Sequence, residues 1–558
     1  MASRVAFSFH GTSNHFFFYL LFPTIDKIQK HLFFQSDWLL CHPKSQESLV
    51  TTKMASLLTS PMQHPPDTSA VATAGGWRVV SDPTMGKCVE ATATFHVGQV
   101  VFKETPLVSA SWHDYRCTCC SQLHAVDQCP VAPQFFSKKT IASLTDIEEE
   151  LSNLFAIQEL DKARTFLMAV LKASRSKSVL ARLLSMTTAN LDMCRATVDI
   201  ISQSKSMSVI LPSSTLVSLE QCAIILSVLN TNAHMLEEGG SALFPEAGAM
   251  FEHSCNPNCV FNTFNKELWV VVTRPIALGE RMSIDYINGF YEPKDVRREA
   301  LKEVYAFDCG CQLCTNGIDK ARAFHCPQCH VGPVCPRTTT TVSTTGATQE
   351  DDTFGCLQCG AVMNASQVNV CLQVEEAFGN SNPPTTAAEI DALLQQGVFH
   401  VTHHLVWVSM LHMGERMAGN PMRCRDGTAM QMWLRVLASA KYVLPDLHPE
   451  LVVLEDKLGQ ILVCAGDIAQ ASSTFKRAYD MSCVLTGNVA SNGNVLLKKL
   501  WEDTPQDVNQ LKFFYNDGGQ QQIEDLKVEG KMDEAAALEA QRDRAVSNTA
   551  MDVDEEDD

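Results

Sequence analysis

This chain of 558 residues lacks long apolar runs. No stretch reaches the ~18 apolar residues needed to cross a bilayer, so no membrane association is expected. Basic charge is also short: 44 Lys and Arg stand against 63 Asp and Glu, a formal charge of −19. Such a chain repels phosphate backbones, so direct nucleic-acid binding is not expected and a basic peptide is the better-matched partner. No long basic run gives a nuclear address, which leaves cytoplasm, nucleus or both. The 22 cysteines lack the dispersed spacing of a small secreted disulfide scaffold. They cluster as Cys117/Cys119/Cys120, Cys309/Cys311/Cys314, Cys326/Cys329 and Cys356/Cys359, which reads as metal binding in a reducing compartment. The apolar stretch Phe16 to Phe22 lacks a basic segment before it and a small-residue cleavage site after it, and Pro23 ends it. Residues 1–75 therefore read as a disordered N-terminal extension and linker, with Met54 a second plausible start.

The length calls for two to four domains, and 45% apolar with 19% charged residues is the composition of a globular protein. Short strands separated by turns are expected from Trp77 to Phe102. Leu151, Leu154, Phe155, Ile157, Leu160 and Phe166, Leu167, Val170, Leu171 recur at helical steps within residues 141–236. Strand character returns at Leu268–Val272 and, after the turn at Gly279-Glu280, at Met282–Tyr286.

Cys255 lies about fifty residues before the triplet Cys309/Cys311/Cys314. Four thiolates so placed would make a tetrahedral zinc site clamping two distant pieces of chain, and with no open position the metal would be structural. Cys326/Cys329 and Cys356/Cys359 flank a Thr/Ser/Gly-rich spacer from Thr338 to Thr348, the pattern of a zinc ribbon with a polar loop and with Cys335 as a spare. Around Cys117 and Cys120 the further ligands stay open among Cys119, Cys129, His124 and His113, enough for one zinc at most. From Leu458-Gly459 through Leu462, Ala471, Phe475 and Ala478, small and large residues alternate as in a tetratricopeptide-type helix pair. Residues 552–558 form an acidic, solvated tail.

His253-Ser254-Cys255-Asn256-Pro257-Asn258-Cys259, then Gly279-Glu280, Ile284-Asp285-Tyr286 and the Cys309 triplet, together resemble the motifs of SET-domain protein lysine methyltransferases. The helical insertion, the cysteines near 117 and the helical tail point to the SET and MYND domain family, over roughly residues 77–500. The resemblance implies an α+β fold: a SET β-fold with a pseudoknot and helical insertion, small zinc modules, and a C-terminal tetratricopeptide-like helical domain. Its implied boundaries are 76–112 for the SET N-terminal part, 113–135 for a degenerate MYND-like cluster and 136–240 for the helical insertion. The SET C-terminal core follows at 241–290, the post-SET zinc segment at 291–316, the ribbon-like insertion at 317–365, the helical domain at 366–530 and the acidic tail at 531–558.

The implied activity is S-adenosylmethionine-dependent N-methylation of a lysine on a histone or other protein, by a monomer that could also hold a peptide on its C-terminal helices. Gly86 and Lys87 match the turn that approaches the cofactor, with Cys88 where a second glycine is usual. Asn232 and His253 match residues on the methionine and adenine parts, Tyr286 the base of the lysine channel, and Tyr305 and Phe307 the closing aromatics. Tyr286 and Tyr305 carry the catalytic assignment. Cys255, Cys309, Cys311 and Cys314 match the zinc ligands. Glu252 replaces the asparagine that opens the motif, placing an anion at the cofactor. On that residue and Cys88 rests the alternative: a catalytically weakened scaffold that binds partners through its zinc modules and helices.

Overall fold

The computed structural model describes residues 76–82, 86–110, 160–203, 217–236, 240–264, 266–342 and 348–516. The extension, Cys117, Cys119, Cys120, Cys129, His113, His124 and the acidic tail lie outside the described residues.

The N-terminal strands are β1 (Trp77–Asp82), β2 (Gly86–Ala91), β3 (Val100–Glu104) and β4 (Val108–Ala110). Among the described residues four helices follow: α1 (Leu160–Arg175), α2 (Lys177–Leu184), α3 (Leu191–Ser202) and α4 (Leu219–Asn232). Phe166, Leu167, Val170 and Leu171 of α1 are buried against Ile225, Leu226 and Leu229 of α4, so the helical periodicity marks one shared core. Ser218 starts α4 with a capping box closed by Gln221, satisfying two backbone donors at once.

The chain then returns through β5 (Ala233–Met235), β6 (Ser241–Leu243), β7 (Glu252–His253), β8 (Cys259–Phe264), β9 (Glu267–Val272) and β10 (Arg281–Ile284). Three small sheets result, ordered β1-β2-β10-β7, β3-β9-β8 and β4-β6-β5. The last strand ends at Ile284, so Asp285 and Tyr286 lie just beyond it rather than within it as the alternating pattern suggests. Two-residue β7 runs parallel to β10, pairing Ser283 with Glu252 and Ile284 with His253. Asn258, 1% exposed, holds this arrangement. Its Nδ2 donates to the Arg281 carbonyl at 2.8 Å and its Oδ1 accepts the Ser283 N–H at 2.8 Å, so a buried amide ties the turn before β8 to β10.

Beyond the sheets lie α5 (Lys294–Tyr305), α6 (Gln312–Asn316), β11 (Phe324–His325), β12 (Pro333–Val342) and β13 (Thr348–Cys356). The spacer expected as a polar loop is largely sheet: Thr338 through Val342 pair with Asp352 through Thr348. Four consecutive threonines are β-branched, and their stiffness at χ1 favours an extended pleat over a loop.

The helical domain follows as α7 (Ala365–Gly379), α8 (Ala387–Gln395), α9 (His404–Ala418), α10 (Pro421–Arg425), α11 (Thr428–Val443), α12 (Pro449–Ala465), α13 (Ile468–Leu485), α14 (Asn492–Glu502) and α15 (Val508–Asn516). In the α12/α13 pair a Cβ on Gly459 would stand 2.5 Å from the Phe475 ring, so the small-and-large alternation is the means by which these helices approach. Several contacts fasten the domain to the part of the chain before it. The Tyr291 ring stacks on buried Trp407 with centroids 4.1 Å apart, and Asn262 Nδ2 donates to the Leu485 carbonyl at 2.9 Å. No described helix is long and apolar enough to cross a membrane.

Candidate active site

Parallel pairing of β7 with β10 sets His253 beside Tyr286. The Tyr286 backbone N–H donates to His253 Nδ1 at 3.2 Å, which leaves the ring proton on Nε2, and Nε2 lies 3.3 Å from Cys255 Sγ. Nearby Asp285 is held above the usual carboxylate range by burial, against the pull of His253.

Helix α5 brings the second half of the site. It ends at Ala306, whose left-handed φ of 60° reverses the chain between Tyr305 and Phe307. Both rings then face the first half: Tyr305 lies 5.1 Å from Tyr286 and Phe307 lies 6.2 Å from His253, centroid to centroid. Tyr305 donates its hydroxyl to the Tyr286 carbonyl at 3.1 Å, and Tyr286 donates its own to the Phe251 carbonyl. Burial pushes both phenols well above the ordinary tyrosine range, with the neighbouring Tyr305 and Glu252 adding to the rise at Tyr286 and Asp285 to that at Tyr305.

Directly behind the aromatics stand the four thiols. Cys255 Sγ lies 3.6 Å from Cys314 and 4.0 Å from Cys309, and all four ligand atoms, including that of Cys311, fall within 4.8 Å of one another. Tetrahedral zinc with Zn–S of about 2.3 Å needs sulfurs about 3.8 Å apart, so the set fits this metal. The second quartet meets the same condition: Cys326 to Cys359 is 3.7 Å and Cys329 to Cys356 is 3.8 Å. Cys335 lies buried on β12 outside this quartet. A third group, Glu375 with His403 and His404, is of another kind. Arg322 already grips Glu375, with Nε 3.0 Å from both carboxylate oxygens, and against the effect of burial the two histidines and the arginine hold that carboxyl well below its usual range. The arginine supplies the positive charge a metal would bring, which makes this an internal ion network.

Glu252 is not a bare anion. Arg281 Nη1 lies 3.4 Å from it while Nη2 contacts Asp82, so one guanidinium bridges two carboxylates from β7 and the β1–β2 hairpin. Cys88 sits in β2 paired with Val80, and among the described residues of this hairpin the positive φ is at Gly86, 77°. A side chain at 88 therefore imposes no backbone conflict. Burial, reinforced by Glu252, pushes the Cys88 thiol up to about 11, so it stays protonated. Lys87 is exposed at the same turn. Asn232 stays apart from this cluster: its Nδ2 donates to Thr187 and Val228 carbonyls, both at 2.9 Å, within the helical insertion. Sequence reasoning missed Arg281, Asp82, Asn258 and Arg297. A signal existed for Arg297: Lys294, Arg297 and Leu301 fall at three- and four-residue steps on α5, and all three are buried, so a charge occupies the inward stripe of a helix.

Comparison with known proteins accords with this geometry. The SET domain family model matches residues 86–287. N-lysine methyltransferase SMYD2 of Homo sapiens is 32% identical over 105 residues, 18% of this chain and 24% of that protein. Histone-lysine N-methyltransferase SMYD3 of Homo sapiens is 36% identical over 85 residues, 15% of this chain and 19% of that protein, and Smyd1 of Mus musculus is 31% identical over 113 residues, 17% and 23%. The chain thus spans about a quarter of the length of the curated relatives it matches. A solved SET domain of LSMT bound to lysine and AdoHcy overlaps 77% of this chain and 88% of that chain at 11% identity and a TM-score of 0.22, too slight a likeness to carry an argument. Residues 86–287 of this chain thus match the SET domain model, and parts of the chain are similar to the lysine methyltransferases SMYD2, SMYD3 and Smyd1.

Proposed function

We propose that the protein is an S-adenosylmethionine-dependent protein-lysine N-methyltransferase whose reacting centre lies among His253, Tyr286, Tyr305 and Phe307. The observation that carries this is the convergence of β7, β10 and the end of α5 on one aromatic cluster backed by the Cys255/Cys309/Cys311/Cys314 set. S-adenosylmethionine would supply a methyl on a sulfonium for in-line displacement by a neutral amine.

Each residue then has a task within reach of its position. With its hydrogen committed to the Phe251 carbonyl, Tyr286 offers oxygen lone pairs that orient the incoming lysine amine. Tyr305 and Phe307 form the wall that excludes water and favours a cationic nitrogen. A desolvated channel lowers the lysine pKa toward the neutral, attacking form. Asp82, Glu252 and Arg281 sum to a charge of about −1, which complements a ligand bearing ammonium, sulfonium and carboxylate; the substitution at 252 thus favours the enzyme over the weakened scaffold. Gly86 and Lys87 would bound the cofactor from the β1–β2 turn, and Asn232 would reach it by a rotation that releases Thr187. The substrate is a basic segment of a histone or other protein, met by a monomer in cytoplasm, nucleus or both, with a peptide on the C-terminal helices as a further partner.

Calorimetric titration with S-adenosylmethionine, together with transfer of labelled methyl to histones and lysate proteins, tests the proposal. Binding and transfer are expected, with transfer lost in Tyr286→Phe. No binding at millimolar ligand would sink the enzyme reading, and undiminished transfer in Tyr286→Phe would remove the role given to that hydroxyl.

A further inference from the structure

Arg297 of α5 carries a guanidinium that no step of the proposed reaction uses. Its residue is 5% exposed, on the inward face of α5. Nη1 donates to the Glu292 carbonyl and lies 3.8 Å from Asp319. Nε and Nη2 are buried and complete no hydrogen bond. One turn along the same buried face of α5, Ala300 and Leu301 pack with Cys309 and Cys314, and Cys255 and Cys311 join that cluster. Two buried donors thus remain uncommitted beside sulfurs that carry no charge as thiols and a full charge as zinc ligands.

The charge balance explains why a cation is needed there. Zinc with four thiolates carries a net charge of about −2, and Cys309 and Cys314 are 3% and 0% exposed, so water does little to stabilise it. The second quartet solves the same problem differently. Cys329 N–H reaches Cys326 Sγ at 3.5 Å, Gly332 N–H reaches Cys329 Sγ at 3.4 Å, Cys359 N–H reaches Cys356 Sγ at 3.5 Å, and Cys359 is exposed.

We infer that Arg297, assisted by the Nε2–H of His253, is the charge-compensating residue of the Cys255/Cys309/Cys311/Cys314 site, so that metal retention there depends on a buried guanidinium. The inference rests on zinc occupying that site. Because α5 carries both Arg297 and Tyr305, the same helix joins the metal's charge to the aromatic wall. Asp319 competes for the guanidinium from the opposite side.

Zinc release from the full-length protein to a chromogenic chelator tests this, the relevant phase being the one that Cys309→Ser abolishes. Arg297→Met is expected to speed that phase by about 10-fold or more, the lower range for loss of an outer-shell partner, and to leave the Cys326 quartet's phase unchanged. Arg297→Lys, retaining charge without the fork, should come back to within about threefold of the parent. Asp319→Asn keeps an acceptor for the Lys294 N–H at 2.6 Å but frees the guanidinium, and should slow release, whereas damage to packing would speed it. Parent-like release in Arg297→Met, or faster release in Asp319→Asn, overturns the assignment. If Cys309→Ser abolishes no phase, zinc is absent from the site and the assignment falls with it, while cofactor binding and methyl transfer remain measurable on their own.

Discussion

The two cysteine quartets have the same ligand chemistry and nearly the same sulfur spacing, but they differ in how thiolate charge is met and in what lies next to them. The Cys326 quartet is a self-contained knuckle pair whose sulfurs take backbone N–H groups. The Cys255 quartet joins residues 54 apart in sequence, faces His253, packs on α5 one turn from Arg297, and abuts Tyr286, Tyr305 and Phe307. Local sequence can build the first almost alone, whereas the second exists only after β7 and β10 have paired, so it reports on the site as well as supporting it.

The strongest test of that difference is to break each quartet in turn. Cys309→Ser should remove one zinc per chain and cut methyl transfer by about 100-fold, because the metal holds the Ala306 reversal on which Tyr305 and Phe307 depend. Cys359→Ser should also remove one zinc, yet lower transfer by less than about threefold, since the exposed edge of the knuckle touches none of those rings. Elemental analysis with a labelled-methyl assay checks both, and equal losses of transfer would erase the contrast.

A weaker perturbation asks how far the ribbon supports α5. Lys294, whose side chain is 9% exposed, places Nζ 2.8 Å from Thr338 Oγ1 and 3.0 Å from Asp352, so the β12–β13 hairpin is pinned to the helix that carries Arg297. Lys294→Met should destabilise the protein by about 2 kcal/mol in urea unfolding, less than the ~3–5 kcal/mol of a fully buried pair because Asp352 is partly exposed. A change under about 0.5 kcal/mol would mean the hairpin is an appendage.

How much of this was legible beforehand differs between the same two regions. The ribbon quartet could be read from spacing, because CxxC pairs are local, although the threonine-rich spacer between them is strand where polarity suggested loop. The tight triplet Cys309/Cys311/Cys314 with Cys255 was likewise legible from spacing, whereas Tyr286, Tyr305 and Phe307 were legible only through several motifs in order, since each alone is an ordinary aromatic. Arg281 was invisible as the partner of Glu252: 29 residues separate them, and only the parallel register of β7 on β10 brings them together. Arg297 had a local signal, a charge on an inward helical stripe, that reading for apolar periodicity passes over. What sequence conveys poorly here is electrostatic compensation, because it is set by depth and by tertiary neighbours.

The smallest expected effect is a flat pH response from the aromatic wall, and it distinguishes a wall held in place from one that titrates. A free phenol is half ionised near pH ~10, but burial keeps Tyr286 and Tyr305 protonated well beyond that. For stability the sign follows directly: the unfolded chain loses these protons first, so the phenols' contribution is fully present below pH ~10 and declines as pH rises above it. For activity, the Tyr286 hydrogen bond to Phe251 should persist throughout. Methyl transfer at subsaturating peptide should therefore rise with pH as the substrate lysine deprotonates, with no falling limb up to about pH 10.5 while circular dichroism stays constant. A falling limb centred near 10, with circular dichroism unchanged, would show the phenol to be solvated, and with it that Tyr305 and Phe307 do not close the site as their packing indicates.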